Sequence, residues 1–345
     1  MSEYMIQGET LSAIADAIRG KTGGTDPISP EQMAAEIGNI EAGGGGSDVN
    51  PIDALLDGTI TELSSGATSV KQYAAYMATS LTSVNLPNAT SVGDYAFQGC
   101  TGITSLSAPK LTTAGEYSFD TIRVGSLNLP ALKSTAQYSF SNNTALTSVS
   151  APELLTVGNY TFYNDSNLAT VNIPKATTLG TSSFRNTKLT SISFPFVTST
   201  GTYTFYQTPL TSVDLPECTT VGNYAFAKCT SLASITLPKA TSVGQYCFQN
   251  DTALTFADLP VCTTLNNYAF NGCTALNVIV LRSTTMCKLS GTAAFTNTPY
   301  ASGKAGGKVY VPSALIASYQ TASNWKTFYG YGTMEFVALE GSEYE

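Results

Sequence analysis

The hydrophobic pattern of this chain repeats every 21 or 22 residues. The most regular apolar position is a phenylalanine, found at Phe97, Phe119, Phe140, Phe162, Phe184, Phe205, Phe226, Phe248 and Phe270. One further copy ends at Phe295, and a degenerate first copy has Ala75 in the same place. A fixed period of this length is typical of a solenoid, because a single coil cannot bury its apolar face alone. The pattern therefore predicts about ten stacked coils over residues 60–300.

Each unit also contains a short alternating segment that predicts a β-strand. Val84 and Leu86 are two residues apart and share one face of the strand, whereas Asn85 points to the other face. The same alternation recurs at residues 171–173 and 235–237. Proline follows the segment and ends it, because proline has no N–H to donate to a neighbouring strand. We predict one parallel strand per coil in a continuous sheet, with a spacing of about 4.8 Å.

The residues around each phenylalanine predict a turn and a packed interior. A glycine four residues earlier, such as Gly93 or Gly222, marks the corner where the chain turns back. The residue directly before the phenylalanine is small, as at Ala96 and Cys247. A small side chain beside a large one indicates that both face the core, where each phenylalanine contributes about 2–3 kcal/mol through burial of its area.

These residues carry a resemblance to a known family. The run VGNYAFAKCTSL at residues 221–232, followed by ITLP at residues 235–238, is similar to the BspA-like leucine-rich repeat family. The resemblance covers residues 60–300 and implies a leucine-rich repeat fold. Proteins of this family are bacterial surface adhesins, secreted proteins and phage-encoded proteins, so the resemblance implies recognition and is not specific for an activity.

The predicted fold class is therefore a mostly β leucine-rich repeat solenoid with a small N-terminal helical module and capped ends. Residues 1–42 form the helical module, and residues 43–50 form a glycine-rich linker. Residues 51–300 form the solenoid with its N-terminal cap, and residues 301–345 form the C-terminal cap. Open ends of a solenoid need cover, so Trp325 is expected to cap the last coil rather than to contact a ligand.

The N-terminal module predicts docking or oligomerisation. Its two short amphipathic helices are too small to hold a core alone, so they must pack on a virion component or on another copy of the chain. Residues 7–19 and 28–34 resemble a leader of tail-associated proteins from phages that infect Gram-positive bacteria. Acidic residues such as Glu3 and Asp16 interrupt the start of the chain, so no secretory signal is expected, and no segment reaches transmembrane length. The expected location is a virion or an extracellular surface.

Composition argues against an enzyme. The chain has no histidine, the commonest general base and metal ligand. Carboxylates such as Glu116 and Asp214 occupy unrelated repeat positions, so they do not converge as an acid and base pair. The seven cysteines lack a paired zinc spacing, and Cys218 and Cys262 lie two coils apart, too far for a disulfide. We expect no catalytic, cofactor-binding or metal-binding residue, no cofactor, and cysteines that act as small buried hydrophobes.

Charge excludes two classes of partner. Residues 1–59 contain ten acidic and two basic residues, whereas residues 60–300 contain ten acidic and eleven basic residues. The repeat array is therefore close to neutral. Because phosphate contacts by Lys and Arg supply most nucleic-acid affinity, no nucleic-acid partner is expected, and membrane surfaces are disfavoured for the same reason.

Two repeated surface rows are candidate ligand sites. The first row, on the outer strand face, is Asn85, Ser107, Asn128, Ser150, Asn172, Ser193, Asp214, Thr236 and Asp258. The second row, an aromatic ladder two residues before each phenylalanine, is Tyr95, Tyr117, Tyr138, Tyr160, Tyr203, Tyr224, Tyr246 and Tyr268. The polar row suits binding to a glycan or to a flat protein partner. Alternatively, its side chains bind nothing and only make the strand surface hydrophilic. The tyrosines are suited to stacking on sugars or to contact with a protein. Alternatively, they only cover the edge of the coils. Ser182 interrupts their row.

The sequence thus predicts a non-enzymatic recognition or adhesion protein. The expected setting is a phage tail or virion, with the repeat rod bound to a host-surface glycan or protein. A bacterial cell-surface adhesin and a structural or decoration protein of a virion without a host ligand are the alternatives.

Overall fold

The computed structural model describes residues 60–301, 303–304 and 306–345, and it forms a parallel β-solenoid. The predicted leucine-rich repeat solenoid of about ten coils is confirmed. The predicted helical module at residues 1–42, the linker at residues 43–50 and the first part of the N-terminal cap at residues 51–59 lie outside the described residues.

Each coil contributes two short strands. The three-residue strands are β1 (Glu62–Ser64), β3 (Ser83–Asn85), β5 (Ser105–Ser107), β7 (Ser126–Asn128), β9 (Ser148–Ser150), β11 (Thr170–Asn172), β13 (Ser191–Ser193), β15 (Ser212–Asp214), β17 (Ser234–Thr236), β19 (Phe256–Asp258) and β21 (Val278–Val280). The two-residue strands are β2 (Ser69–Val70), β4 (Ser91–Val92), β6 (Thr113–Ala114), β8 (Ser134–Thr135), β10 (Thr156–Val157), β12 (Thr178–Leu179), β14 (Ser199–Thr200), β16 (Thr220–Val221), β18 (Ser242–Val243), β20 (Thr264–Leu265) and β22 (Lys288–Leu289). All pairings between coils are parallel and in register, for example Val84 with Leu106.

The continuous sheet is not the one that the sequence predicts. The two-residue strands form one sheet of 11 strands, whereas the three-residue strands divide into four sheets with breaks after β5, β11 and β15. At each break the turn between the phenylalanine and the strand changes length by one residue: Ile103 follows Phe97 by six residues, but Val124 follows Phe119 by five. The breaks therefore coincide with a change in turn length, although β7 and β9 pair across a similar change.

The interior is a column of stacked phenylalanine rings. From Phe97 to Phe295 the rings of successive coils lie 5.1 to 5.9 Å apart between centroids, and all are buried. Val84 and Leu86 are buried and Asn85 is exposed, which confirms the predicted strand faces. The small residues before the phenylalanines are buried as well, as at Ala96.

The C-terminal segment covers the last coil. Strand β23 (Gly307–Val311) extends the sheet from β21 and pairs with β24 (Met334–Ala338), and a 3-10 turn (Ser313–Leu315), α1 (Ile316–Thr321) and α2 (Trp325–Gly330) lie between them. Trp325 is fully buried, its ring lies 5.8 Å from that of Phe295, and its indole N–H donates to the Cys287 carbonyl at 2.8 Å. The tryptophan therefore occupies the capping position that the sequence predicts.

Candidate functional site

The tyrosines before the phenylalanines form a second stacked column, at the surface. The rings stack from Tyr73 to Tyr160 and again from Tyr203 to Tyr268, with centroids 4.4 to 5.2 Å apart and interplanar angles of 15° or less. All are half-buried. Tyr73, which the predicted ladder omits, is its first member. We refer to these nine rings, with the gap at Ser182, as the tyrosine ladder.

The backbone is left-handed at every position of the ladder and at Ser182. Each ladder tyrosine has a φ between 50° and 60°, and Ser182 has a φ of 53°. A second left-handed residue follows four positions later, and there the chain often uses asparagine or glycine, as at Asn164 and Gly272. Those two residue types tolerate this conformation best, whereas tyrosine does not. The occurrence of tyrosine at the first position therefore reflects the stacking of its ring and not the chemistry of the turn.

Burial favours the protonated form of several ladder hydroxyls. Burial raises the pKa of Tyr117 to about 12, and the neighbouring tyrosines add to the shift. Burial also raises the pKa of Tyr95, Tyr138 and Tyr224. These four residues thus present uncharged phenol groups at neutral pH, which can both donate and accept hydrogen bonds.

An arginine lies at the gap in the ladder. Ser182 is buried, and the amide of Arg185 donates to its carbonyl at 3.2 Å. The Arg185 guanidinium lies 5.3 Å from the Tyr203 ring centroid, 4.8 Å from that of Tyr206 and 5.7 Å from that of Tyr163. Sequence reasoning noted the missing tyrosine but not this arginine. The available signal was the position directly after the phenylalanine, which carries tyrosine in the coils on both sides.

The polar row lies on the outer face of the three-residue strands. Most of its members are exposed, Ser150 is half-buried and Asp258 is buried. Asn85 donates to the Ser64 hydroxyl at 3.2 Å, and the Ser193 hydroxyl donates to the carboxylate of Asp214 at 2.7 Å. The row is therefore an open surface along most of the rod.

The C-terminal segment covers the far end of this polar face. Asp258 forms an ion pair with Arg282, whose Nε donates to the Tyr344 carbonyl at 3.1 Å. The Tyr344 ring lies 5.5 Å from the Phe256 ring and 4.7 Å from the Tyr310 ring. Asp258 consequently belongs to an internal contact and is not an open member of the polar row.

A column of buried groups, most of them polar or cysteine, runs beside the phenylalanines at the position three residues after each. Asn143 donates to the Phe119 and Phe140 carbonyls at 3.1 and 2.7 Å, and Thr208 donates to the Phe205 carbonyl at 2.7 Å. Asp165 and Asp251 occupy equivalent positions and are fully buried. Burial raises the pKa of both carboxyls well above the ordinary value, which favours their protonated form within the core.

The cysteines are buried free thiols. Cys100, Cys229 and Cys273 share the buried column, and burial raises the pKa of Cys100 to about 12. Cys262 has a neighbour that the sequence did not indicate, because its Sγ lies 3.7 Å from that of Cys287. Across the described part of the chain, no group of three or more potential metal ligands comes together, and none of its helices has the length and apolar character to span a membrane.

A family model described as the BspA type leucine-rich repeat region matches the chain in six copies, over residues 68–190, 155–277 and 198–306. The chain belongs to the BspA-type leucine-rich repeat family. The sequence resemblance to this family is thereby confirmed, and membership is consistent with a non-enzymatic recognition or adhesion role. No curated protein matches the chain significantly.

Solved structures similar to this BspA-type protein come from several bacteria. A leucine-rich cell surface protein from Faecalibacterium prausnitzii is 19% identical, with 69% of this chain and 87% of that chain covered and a TM-score of 0.36. A leucine-rich repeat protein from Bacteroides ovatus is 16% identical, with 79% and 88% covered and a TM-score of 0.35. The pneumococcal vaccine antigen PcpA is 14% identical, with 81% and 84% covered and a TM-score of 0.41. At these identities and TM-scores, nothing about the ligand of this chain follows from them.

Proposed function

We propose that this chain is a non-enzymatic recognition protein, associated with a phage tail or virion, whose repeat rod binds a host-surface glycan or protein. The observation that carries this proposal is the tyrosine ladder. It presents nine half-exposed rings at a spacing of 4.4 to 5.2 Å within each run, on a rigid parallel scaffold.

A ladder of this kind is suited to an extended ligand. Tyrosine supplies a large amphipathic contact area with few rotatable bonds, and here stacking already fixes each ring, so little conformational entropy is lost on binding. The hydroxyls can bond to the many hydroxyl groups of a neutral glycan. The polar row offers a second surface for such a partner, because most of its side chains lie open on the outer face of the strands.

The virion assignment is supported by the resemblance of residues 7–19 and 28–34 to a tail-associated leader. In this proposal residues 1–42 attach the rod to the virion or to another copy of the chain. A bacterial cell-surface adhesin would carry the same rod and the same ladder, and it is the alternative function. A structural or decoration protein of the virion would carry the rod without a host ligand.

The test is binding of the full-length, fluorescently labelled chain to a panel of intact Gram-positive bacterial cells. The ladder variant is Tyr224→Ser with Tyr246→Ser, because serine already occupies this position at Ser182 with the same left-handed backbone. The matched variant of the polar row is Asn172→Ala with Thr236→Ala, which changes two exposed residues.

Loss of cell binding by at least tenfold in the ladder variant alone is the expected result. Loss in the polar-row variant alone would move the binding surface to the outer strand face. Absence of binding to every strain by the unaltered chain would overturn the proposal in favour of a structural role. To separate virion from cell surface, antibodies against the chain should label phage tails in the first case and intact bacterial cells in the second.

A further inference from the structure

We infer that the gap in the tyrosine ladder is a binding site for an oxyanion group, a carboxylate or a phosphodiester, carried on a sugar or polyol polymer, with Arg185 as the anion-binding residue. This inference rests on the proposed recognition function and names the chemical class of its ligand.

The first argument is the state of the Arg185 guanidinium. In the described part of the chain it forms no ion pair and no side-chain hydrogen bond, and its Nε is buried without a hydrogen-bond partner. Its contacts are the faces of Tyr163, Tyr203 and Tyr206. Aromatic walls hold the planar group in place but use none of its five N–H donors. A group held in this way is preorganised for the two parallel hydrogen bonds that a carboxylate or phosphate accepts.

The second argument is charge. Between Lys175 and Asp214 the only charged residues are Arg185 and Lys188, and no acidic residue occurs there. Lys228 adds a cation on the same surface, because its Nζ lies 5.2 Å from the Tyr206 ring centroid. The array as a whole is close to neutral, so this part of the ladder is a local positive region. An anionic group is drawn to it over other parts of the rod.

The third argument is space. The ladder omits one ring at Ser182, so Tyr160 and Tyr203 are two coil steps apart, about 9 to 10 Å. The Arg185 guanidinium covers this space, because it lies 5.3 Å from the Tyr203 ring centroid and the Ser182 side chain is buried. Arg185 itself is half-buried, so a sugar ring can contact the exposed part of the ladder while its oxyanion meets the guanidinium from solvent. A tyrosine at position 182 would take the place of the guanidinium.

The experiment compares three polymers with the full-length chain. The acidic probes are polygalacturonate, which carries carboxylates, and poly(glycerol phosphate), which carries phosphodiesters; dextran is the neutral probe. Affinity is measured by biolayer interferometry at two salt concentrations. The variants are Arg185→Gln, which removes the cation, and Ser182→Tyr, which puts the ring that the other coils carry in place of the guanidinium. Arg123→Gln is the control, since it removes an equal charge from an exposed arginine three coils away.

The expected result is binding of an acidic polymer that falls at least tenfold in both Arg185→Gln and Ser182→Tyr, and less than twofold in the control. Binding of polygalacturonate would identify the oxyanion as a carboxylate, and binding of poly(glycerol phosphate) would identify it as a phosphodiester. Circular dichroism and a thermal unfolding curve verify that each variant is folded. Unchanged binding in Arg185→Gln would overturn the inference, as would acidic polymers that bind no better than dextran.

The failure of this inference is distinguishable from failure of the proposed function. Binding to dextran alone, with loss in the Tyr224→Ser and Tyr246→Ser variant, would overturn the anion site and leave recognition by the ladder intact. No binding to any polymer would also overturn the anion site, and the whole-cell assay would then decide the proposed function independently.

Discussion

Two aromatic columns run along the same rod, and they differ in one instructive way. The phenylalanine column is buried and unbroken from Phe97 to Phe295, whereas the tyrosine ladder is half-exposed and lacks a ring at Ser182. A missing ring in the core leaves a void that no other atom fills, and its neighbours lose their contacts. At the surface, the Arg185 side chain covers the gap. The inner column therefore determines the fold, and the outer column is free to vary with function.

The largest effect should follow from a break in the inner column. Phe205→Ala removes a fully buried ring that contacts Phe184 and Phe226, and we expect a loss of about 3–5 kcal/mol in the free energy of unfolding. Urea unfolding followed by far-UV circular dichroism measures it. Phe205→Leu is the control and should cost about 1 kcal/mol. A loss below about 1 kcal/mol for the alanine variant would show that the column is not what holds the coils together.

The next effect concerns the buried acids beside the inner column, and it has the opposite sign. The Asp251 Oδ1 accepts from the Cys229 amide at 2.8 Å, while its other oxygen has no partner. At the equivalent position, both side-chain groups of Asn143 have partners. Its oxygen accepts a hydrogen bond from a backbone amide, and its nitrogen donates to two backbone carbonyls. We expect Asp251→Asn to stabilise the fold at pH 7 by about 1–3 kcal/mol.

The effect of Asp251→Asn should depend on pH, because burial raises the pKa of Asp251. The thiols of Cys229, Cys247 and Cys273 are its titratable neighbours. The folded state holds the proton more tightly than the unfolded state does. In the unaltered chain, the contribution of Asp251 to the stability of the fold is therefore complete below the ordinary Asp pKa of about 4. This contribution is lost as the pH rises towards the folded-state pKa. The advantage of the asparagine variant should grow over this range. A constant difference between pH 4 and 8 would contradict the assignment.

A break in the outer column should cost less. Tyr224→Ser removes a half-buried ring that stacks on Tyr203 and Tyr246 at 4.5 and 4.6 Å, and we expect a loss of about 0.5–1.5 kcal/mol. The same urea titration measures it, with Phe205→Ala as the reference. An equal loss in the two variants would mean that the ladder holds the fold and is not free to vary.

The smallest effect is expected from completing the outer column. Ser182→Tyr places a ring in a backbone that already has the left-handed φ of its neighbours, so the added stacking should stabilise the fold by less than about 1 kcal/mol. The displacement of Arg185 from the rings offsets part of that gain. The thermal midpoint measures the change. A clear destabilisation would show that the packing of the coils requires a small residue at position 182, so that the gap needs no ligand to explain it.

The sequence by itself determined the period, the coil count, the buried faces of the strands and the tyrosine row. It could do so because a repeat places the same residue in the same environment many times, so each position reports its burial without any long-range information. Val84, Leu86 and Phe97 are therefore recognisable as core residues, and Asn85 as a surface residue, from their spacing alone.

Only the tertiary structure decided what lies beside each row. The continuous sheet passes through the two-residue strands, and the breaks among the three-residue strands fall where the turn before the strand changes length by one residue. Asp258 is covered because the chain end near Tyr344 returns to it across the fold. Arg185 meets three tyrosines of the two neighbouring coils, a contact that the residues of its own coil do not specify. Such contacts join residues distant in sequence, and their geometry follows only from the stacking of whole coils.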